Sequence, residues 1–204
     1  LNLKNFFFFF KDDIQFSKNE LKIKYKKGDF SINGSGSLLI QENKDYIEYS
    51  FEKTNTILKF KSLLKIKDNL LNINFLNFKK DQNTENIIEI EGIKVKEQDM
   101  KINSFSIKEK NNLVSFENLL INDEFKIISL GKVNLDYFDK QKQKNLIKID
   151  KKNDEYFLTG SSFNANNLIS SLLNSKDNNF DIVQFDNKIH VLVDKIYLDN
   201  EYFL

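Results

Sequence analysis

Alternation of apolar and polar residues runs through most of this sequence and limits what it can fold into. Within each stretch, apolar side chains occupy one parity and lysine, asparagine or glutamate mostly occupies the other. The clearest stretches are 21–25, 58–66, 71–75, 88–90, 125–127, 133–137 and 189–193. Successive strand side chains point to opposite faces, so this period predicts a sheet with one apolar and one wet side.

Polar clusters such as 27–29, 42–45, 109–112 and 151–154 separate the alternating stretches. Short strands between such clusters are typical of a meandering antiparallel sheet, and the pattern gives roughly a dozen strands. So many strands exceed what an open sheet usually holds without curling or splitting. The predicted fold is therefore mostly β: a long curled antiparallel sheet, whose apolar face is buried by folding into a sandwich, by closing into a barrel or by curling into an open groove. Because the chain starts at Leu1 and lacks a polar tail, 1–204 is expected to be one β-rich segment of a longer repeat-like protein.

The apolar parity slips by one residue inside three of these strands. The slips lie between Ile90 and Ile93, between Ile102 and Phe105, and between Val193 and Ile196. A slip sends the following apolar residues to the other face unless a β-bulge absorbs it. The sequence therefore predicts a bulge at each slip, and bulges bend and twist strands.

One short helix is predicted over 165–174. Asn164 is a favourable N-cap. The apolar stripe that follows has helical spacing and consists of Leu168, Ile169, Leu172 and Leu173. A helix this short is marginal alone, so it is expected to dock on the sheet.

Composition limits the classes of function. The 31 basic residues, all lysine, nearly balance 30 acidic ones, giving a net charge of +1. Nucleic-acid binding usually needs a basic face and arginine, so that class is not expected. Without cysteine there is neither a disulfide framework nor a thiolate metal site. The longest apolar run, Phe6 to Phe10, is far shorter than the roughly 18 residues of a spanning helix and is interpreted as a buried strand rather than an interfacial anchor.

No residue pattern points to catalysis, a cofactor or a metal. His190 is the only histidine, and its parity places it with Lys188 and Asp194 on the wet face. The acidic pairs at 12–13, 123–124 and 154–155 lie in or beside predicted turns, where solvated carboxylates are the simplest interpretation. The glycines at 34 and 36 are followed by a strand-like run rather than a helix, so they indicate a turn or bulge rather than a phosphate loop.

The lysine run over 59–67 could attract anionic lipid head groups. Solubility and protection against edge pairing explain the same residues more simply.

The segment from Tyr156 to Leu173 resembles a recurrent piece of large AsmA-like envelope proteins, the class that includes YhdP and TamB. In that class a strand ends in a glycine, a short turn with Asp or Asn before Ala follows, and a small amphipathic helix runs to a Leu-Leu pair. Here Gly160, the turn at 163–165 and the pair at 172–173 match. The stretch 189–198 is similar to the strand pair that restarts the pattern.

This resemblance implies a non-catalytic, elongated β-groove in the periplasm of a Gram-negative bacterium, anchored at the inner membrane by a part outside this chain. Its apolar lining would carry or shield phospholipid acyl chains on their way to the outer membrane. The candidate lining residues are Leu58, Phe60, Leu64, Ile66, Leu71, Ile73, Phe75, Ile88, Ile90, Phe125, Ile127, Val133 and Leu135.

A closed β-sandwich or barrel that acts as a binding or adhesion module is the alternative, because a sealed core would use the same residues. The two hypotheses differ in one expectation. In an open groove, Asp in place of Phe60, Phe75 or Ile90 blocks lipid capture and leaves a soluble β protein. In a sealed core, the same replacements unfold the chain.

Overall fold

The computed structural model describes residues 15–40, 43–80, 83–123, 127–173, 188–198 and 202–203. The secondary structure within these ranges is mostly β. The strands are β1 (Gln15–Lys26), β2 (Asp29–Ile40), β3 (Asn43–Thr54), β4 (Ile57–Ile66), β5 (Asn72–Ile73), β6 (Phe78–Lys79), β7 (Asn86–Val95), β8 (Met100–Glu109), β9 (Asn112–Ile121), β10 (Ile127–Ser129), β11 (Lys132–Phe138), β12 (Lys144–Lys152), β13 (Glu155–Asn164), β14 (Ile189–Val193), β15 (Ile196–Leu198) and β16 (Tyr202–Phe203). A 3-10 turn covers Asn74–Leu76, and one α-helix, α1, covers Asn166–Leu173.

One 14-stranded sheet contains every strand except β5 and β6. Its order is β1-β2-β3-β4-β7-β8-β9-β11-β12-β13-β15-β16, with β10 beside β9 and β14 beside β13. Pairing is antiparallel up to β13, which then pairs in parallel with β14 and β15. Among the described residues the outermost strands do not pair with each other, so the sheet is not closed into a barrel. The predicted mostly β fold is confirmed, and the barrel form of the alternative is wrong.

Tight hairpins join the meander at several of the predicted polar clusters. Lys27 and Gly28 turn β1 into β2 with φ of 52° and 89°. Asn153 and Asp154 turn β12 into β13 with φ of 49° and 62°. Two consecutive residues at positive φ match the right-handed twist of the flanking strands, which is why short polar residues and glycine occupy these positions.

The strand registers put nearly all the buried apolar side chains of the large sheet on one surface, here called the apolar face. Two cross-strand rows of register partners define it. The sealed row is Ile47, Leu64, Ile88, Ile107, Val114, Leu135 and Ile147. The open row is Leu21, Gly34, Tyr49, Ser62, Ile90, Phe105, Phe116, Val133, Ile149, Leu158 and Val191. The opposite surface, the polar face, carries most of the lysines.

The predicted bulges have different outcomes. In β8 the register against β7 shifts near Asn103, which keeps Ile102 and Phe105 on the apolar face as predicted. At the third slip, residues 194–195 interrupt the strand and separate β14 from β15. Both strands pair in parallel with β13. At Gly92 the register against β8 shifts as predicted, but β7 pairs with β4 without a shift, so Ile93 and Val95 point to the polar face instead of the apolar one.

The glycines of β2 lie inside the strand rather than in a turn, but the register between β1 and β2 shifts opposite Gly36, which matches the predicted bulge. A Cβ on Gly34 would lie 2.5 Å from the Cζ atom of Tyr49, and one on Gly36 would overlap the side chain of Asn19. These glycines therefore leave room for neighbouring side chains on the apolar face. The ring of Tyr49 occupies the space over Gly34 and meets Phe16 edge-on at 6.1 Å between centroids.

Residues 67–80, here called the bridging segment, leave the sheet after β4 and cross its apolar face. The alternation at 71–75 predicts a strand, but only Asn72–Ile73 is extended, as β5, and the chain then enters the 3-10 turn. Its apolar side chains Leu71, Ile73, Leu76 and Phe78 are buried in the common core. Leu71 and Ile73 therefore lie outside the large sheet, and their part in a lipid-carrying lining stays a prediction.

Hydrogen bonds fix both ends of the bridging segment. At one end the buried carboxylate of Asp45 in β3 accepts the Lys67 N–H at 2.8 Å and the Asn69 side-chain amide at 2.7 Å. At the other end the Tyr137 hydroxyl donates to the Leu76 carbonyl at 2.6 Å. Since β7, β8 and β9 lie between β4 and β11, the segment spans this end of the apolar face.

A buried polar cluster holds the turn between β11 and β12 against the end of β13. The Asn164 amide donates to Asp139 at 2.7 Å and to Gln143 at 2.8 Å. The Asp139 carboxylate also accepts the backbone N–H groups of Gln141 and Gln143. Asn164 in turn accepts the Asn166 N–H at 3.2 Å and so caps the first turn of α1.

We expect Asn164→Ala to lower the free energy of unfolding by about 1–3 kcal/mol, because it leaves the buried Asp139 carboxylate short of a donor. Urea denaturation followed by circular dichroism measures the change. Asn33→Ala is the control, since the Asn33 side chain is exposed and its hydrogen bond to Ser31 lies at the surface. Equal losses in both variants would contradict this role for the cluster.

Candidate functional site

The predicted lining residues of the large sheet do share its apolar face, but most of them are sealed. Leu58 and Ile90 are half-buried. The buried members of the predicted set are Phe60, Leu64, Ile66, Leu71, Ile73, Ile88, Ile127, Val133 and Leu135. Phe125 and the side chain of Phe75 lie outside the described residues. Most of this set therefore belongs to one continuous core.

The exposed part of the apolar face lies at the two edges of the sheet. The open row crosses eleven strands and begins with Leu21, 51% exposed, and ends with Val191, 54% exposed. Its members in between are half-buried or buried, from Tyr49 in β3 to Leu158 in β13. The apolar surface thus continues from a sealed centre to an accessible rim on both sides.

A second cross-strand series gives the same gradient at the β1 edge. Ile23, Ile32, Phe51 and Phe60 are register partners in β1 to β4. Ile23 is 61% exposed, the next two are half-buried, and Phe60 is 4% exposed. Exposure therefore falls over three strand spacings, which is roughly 14 Å.

The rim residues were absent from the predicted lining set. On the β1 edge they are Leu21, Ile23 and Tyr25, and on the β14 edge Ile189 and Val191. The alternation that places them on the apolar face is visible in the sequence. Their position at the edges of the sheet, which leaves them exposed, depends on the strand order and is not visible in the sequence.

The polar face is a mixed-charge surface. Lys59 lies opposite Glu52, and Lys61 lies opposite Glu91. Lys108 binds Glu89 at 2.6 Å, and this hydrogen bond holds the pKa of the Glu89 carboxyl below its ordinary value. Such cross-strand pairs favour solubility and register over an anion-binding role for the lysine run.

His190 lies on the polar face, as its parity predicts, and pairs with Glu155 at the start of β13. Its Nε2 atom is 2.7 Å from the Glu155 carboxylate, and its ring stacks on Phe157 with 4.6 Å between centroids. The hydrogen bond with His190, helped by Lys188 at 3.7 Å, holds the pKa of Glu155 below its ordinary value. These contacts of His190 with Glu155 and Phe157 join β14 to β13.

This pairing predicts a pH effect on stability. Because the folded-state pKa of Glu155 is lowered, its contribution is present above the ordinary carboxyl value of 4.5 and is lost as the pH falls through the folded pKa. The stability advantage of the wild type over Glu155→Gln should shrink between about pH 6 and about pH 3. Urea denaturation across that range tests it, with Glu52→Gln as the control. A pH-independent advantage would contradict it.

The acidic pairs are engaged in ordinary surface contacts. Asp123 pairs with Lys94, and Asp154 pairs with Lys151 at 3.0 Å. The pair at 12–13 and Glu124 lie outside the described residues. Over the described ranges, no group of three or more His, Cys, Asp or Glu side chains could hold a metal ion. No described helix is long and apolar enough to cross a membrane.

Comparison with family models, with curated proteins and with solved structures finds no match to this chain. Fold, registers and exposure therefore define the candidate site as the apolar face of a large open-edged sheet, accessible along its rims.

Proposed function

We propose that this chain is a non-catalytic segment of an envelope protein whose apolar sheet face carries or shields phospholipid acyl chains between the inner and outer membranes. In this proposal it works in the periplasm of a Gram-negative bacterium, held at the inner membrane by a part outside this chain. The likeness of residues 156–173 to AsmA-like proteins supports that location.

The observation that carries the proposal is the open row. A mostly apolar row crosses the sheet, buried at its centre, and emerges at both edges, where Leu21 and Val191 are about half exposed. Large accessible apolar surfaces are uncommon on soluble proteins and mark sites for ligands or membranes. Each acyl CH₂ buried there contributes about 0.8 kcal/mol, so a chain can be held without specific polar contacts.

The proposal includes a curled sheet. The described elements outside the sheet, α1 and the bridging segment, are too few to cover the apolar face of so many strands. Ile102 and Val133 are nevertheless 2% exposed. A sheet that bends toward its own apolar face produces such burial, and the repeated irregularities in β1, β8 and β13 favour bending.

In this proposal the acyl chains lie along the rims rather than over the sealed row. The bridging segment crosses one end of the face, and its apolar side chains are buried in the core there. The half-buried and exposed residues at both edges can contact an acyl chain while the protein stays folded. The proposed contacts are Leu21, Ile23, Ile32 and Phe51 on one side and Leu158, Ile189 and Val191 on the other.

Extraction of a dye-labelled phospholipid from vesicles tests the proposal. The purified chain is mixed with phosphatidylcholine vesicles that contain a self-quenched, acyl-labelled phosphatidylcholine. Transfer to the protein raises the fluorescence. We expect Val191→Asp to lower this signal severalfold, because an acyl chain that packs on the apolar face would remove water from the new carboxylate, which is costly.

Leu192→Asp is the matched control. Leu192 is adjacent in β14 and 76% exposed, but it lies on the polar face. It should leave transfer unchanged. Equal loss in both variants, or no transfer by the wild type, would refute the proposal.

The burial of the sealed row favours a second candidate, a binding module whose apolar face closes on itself as in a sandwich. Leu64 and Val114 in that row are 1% exposed. This candidate predicts no phospholipid transfer and no bound lipid in the purified chain.

A further inference from the structure

The free edge of β1 differs from the other edge of the sheet. β1 is 12 residues long, and among the described residues only β2 pairs with it. At the far edge the strands are short: β14 has five residues, β15 three and β16 two. A long unpaired strand presents a row of backbone N–H and C=O groups to any further strand, whereas short edge strands limit such pairing.

The side chains of β1 divide sharply between its two faces. Leu21, Ile23 and Tyr25 lie on the apolar face and are more than half exposed. Lys22, Lys24 and Lys26 lie between them on the polar face and are exposed. A strand added at this edge would therefore meet apolar side chains on one face and lysines on the other.

The lysines of β1 have little acidic compensation on β2. Lys26 lies opposite Asp29, but Lys24 lies opposite Ser31 and Lys22 opposite Asn33. Inside the sheet some lysines do lie opposite an acid, as Lys59 does with Glu52. Lys22 and Lys24 thus have no acid opposite them on β2, and on β1 itself Glu20 shares their face.

We propose that the β1 edge binds an extended strand of a partner polypeptide, and that this strand alternates acidic and apolar residues. Backbone hydrogen bonds supply the pairing, the acidic side chains face Lys22 and Lys24, and the apolar ones extend the face beyond Ile23. A second copy of this chain is disfavoured, because antiparallel pairing of two β1 strands sets lysines against lysines. The inference does not depend on lipid binding.

Two fluorescein-labelled peptides test it by anisotropy with the full chain. One repeats Val-Glu-Ile-Glu, and the other repeats Val-Lys-Ile-Lys. Cross-strand charge pairs and like-charge clashes together predict a preference on the order of tenfold for the acidic peptide. Hydrogen exchange should show added amide protection within residues 21–26 on its binding.

Charge exchange separates edge pairing from general attraction. The double variant Lys22→Glu with Lys24→Glu should reverse the preference between the peptides. The double variant Lys101→Glu with Lys148→Glu changes the net charge equally on inner strands and should keep it. Binding of neither peptide, as when the edge is already occupied, or an unreversed preference, would overturn the proposal. Phospholipid transfer from vesicles is measured on the same variants. Peptide binding then decides the edge proposal, and phospholipid transfer decides the lipid proposal.

Discussion

Replacing Tyr137 with alanine is expected to lower the free energy of unfolding by about 3–5 kcal/mol, the cost of deleting a large buried aromatic side chain. Tyr137 is fully buried in β11, and its ring meets Phe78 edge-on at 5.7 Å. Its hydroxyl donates to the Leu76 carbonyl at 2.6 Å, and burial raises the pKa of the phenol. Both contacts join the bridging segment to the sheet.

Tyr137→Phe separates packing from hydrogen bonding. It keeps the ring but leaves the buried Leu76 carbonyl without this donor, so we expect a loss of about 1–3 kcal/mol. Phe138→Ala is the matched control: the next residue faces the other way, is 49% exposed and contacts the Lys144 ammonium. Its loss should stay below about 1 kcal/mol. Urea denaturation measures all three. Equal losses for Tyr137→Ala and Phe138→Ala would contradict the anchoring role.

Phe60→Asp is expected to unfold the protein, whereas Ile23→Asp is expected to leave it folded. The two residues share the apolar face, yet Phe60 is 4% and Ile23 61% exposed. An unpaired carboxylate at the Phe60 position costs several kcal/mol, which is a large part of the stability of a typical domain. In Ile23→Asp the carboxylate stays hydrated, because the position is exposed.

Circular dichroism and hydrogen exchange distinguish these outcomes. Phe60→Asp should lose its β signal and amide protection, and Ile23→Asp should keep both. A folded Phe60→Asp that has lost lipid transfer would instead place Phe60 in an open groove, which the alternation allows equally. An unfolded Ile23→Asp would mean that the β1 rim belongs to the core.

The sequence predicts which face a residue occupies but not how deeply it is buried. Lys22-Ile23-Lys24 and Lys59-Phe60-Lys61 have the same local pattern. Period two places both apolar residues on one face, and the registers agree. Their exposure differs because β1 is an edge strand and β4 lies inside the sheet, a property of strand order that no local window contains.

The conformation of the bridging segment differs from the predicted strand for a related reason. Residues 71–75 alternate as a strand does, yet Asn77 adopts a left-handed φ of 53° and ends a 3-10 turn there. The contact of Tyr137 with Leu76 joins positions 61 residues apart. Such long-range contacts override a weak local preference, because β propensity mostly reflects the surface against which a segment packs.

Native mass spectrometry of the purified chain, with organic extraction of whatever it carries, tests the central claim most directly. We predict a bound phospholipid in the wild type and in Leu192→Asp, and its loss in Val191→Asp and Ile23→Asp with the β signal unchanged. A lipid-free mass for a stable wild-type chain would contradict the account and favour an apolar face that closes on itself.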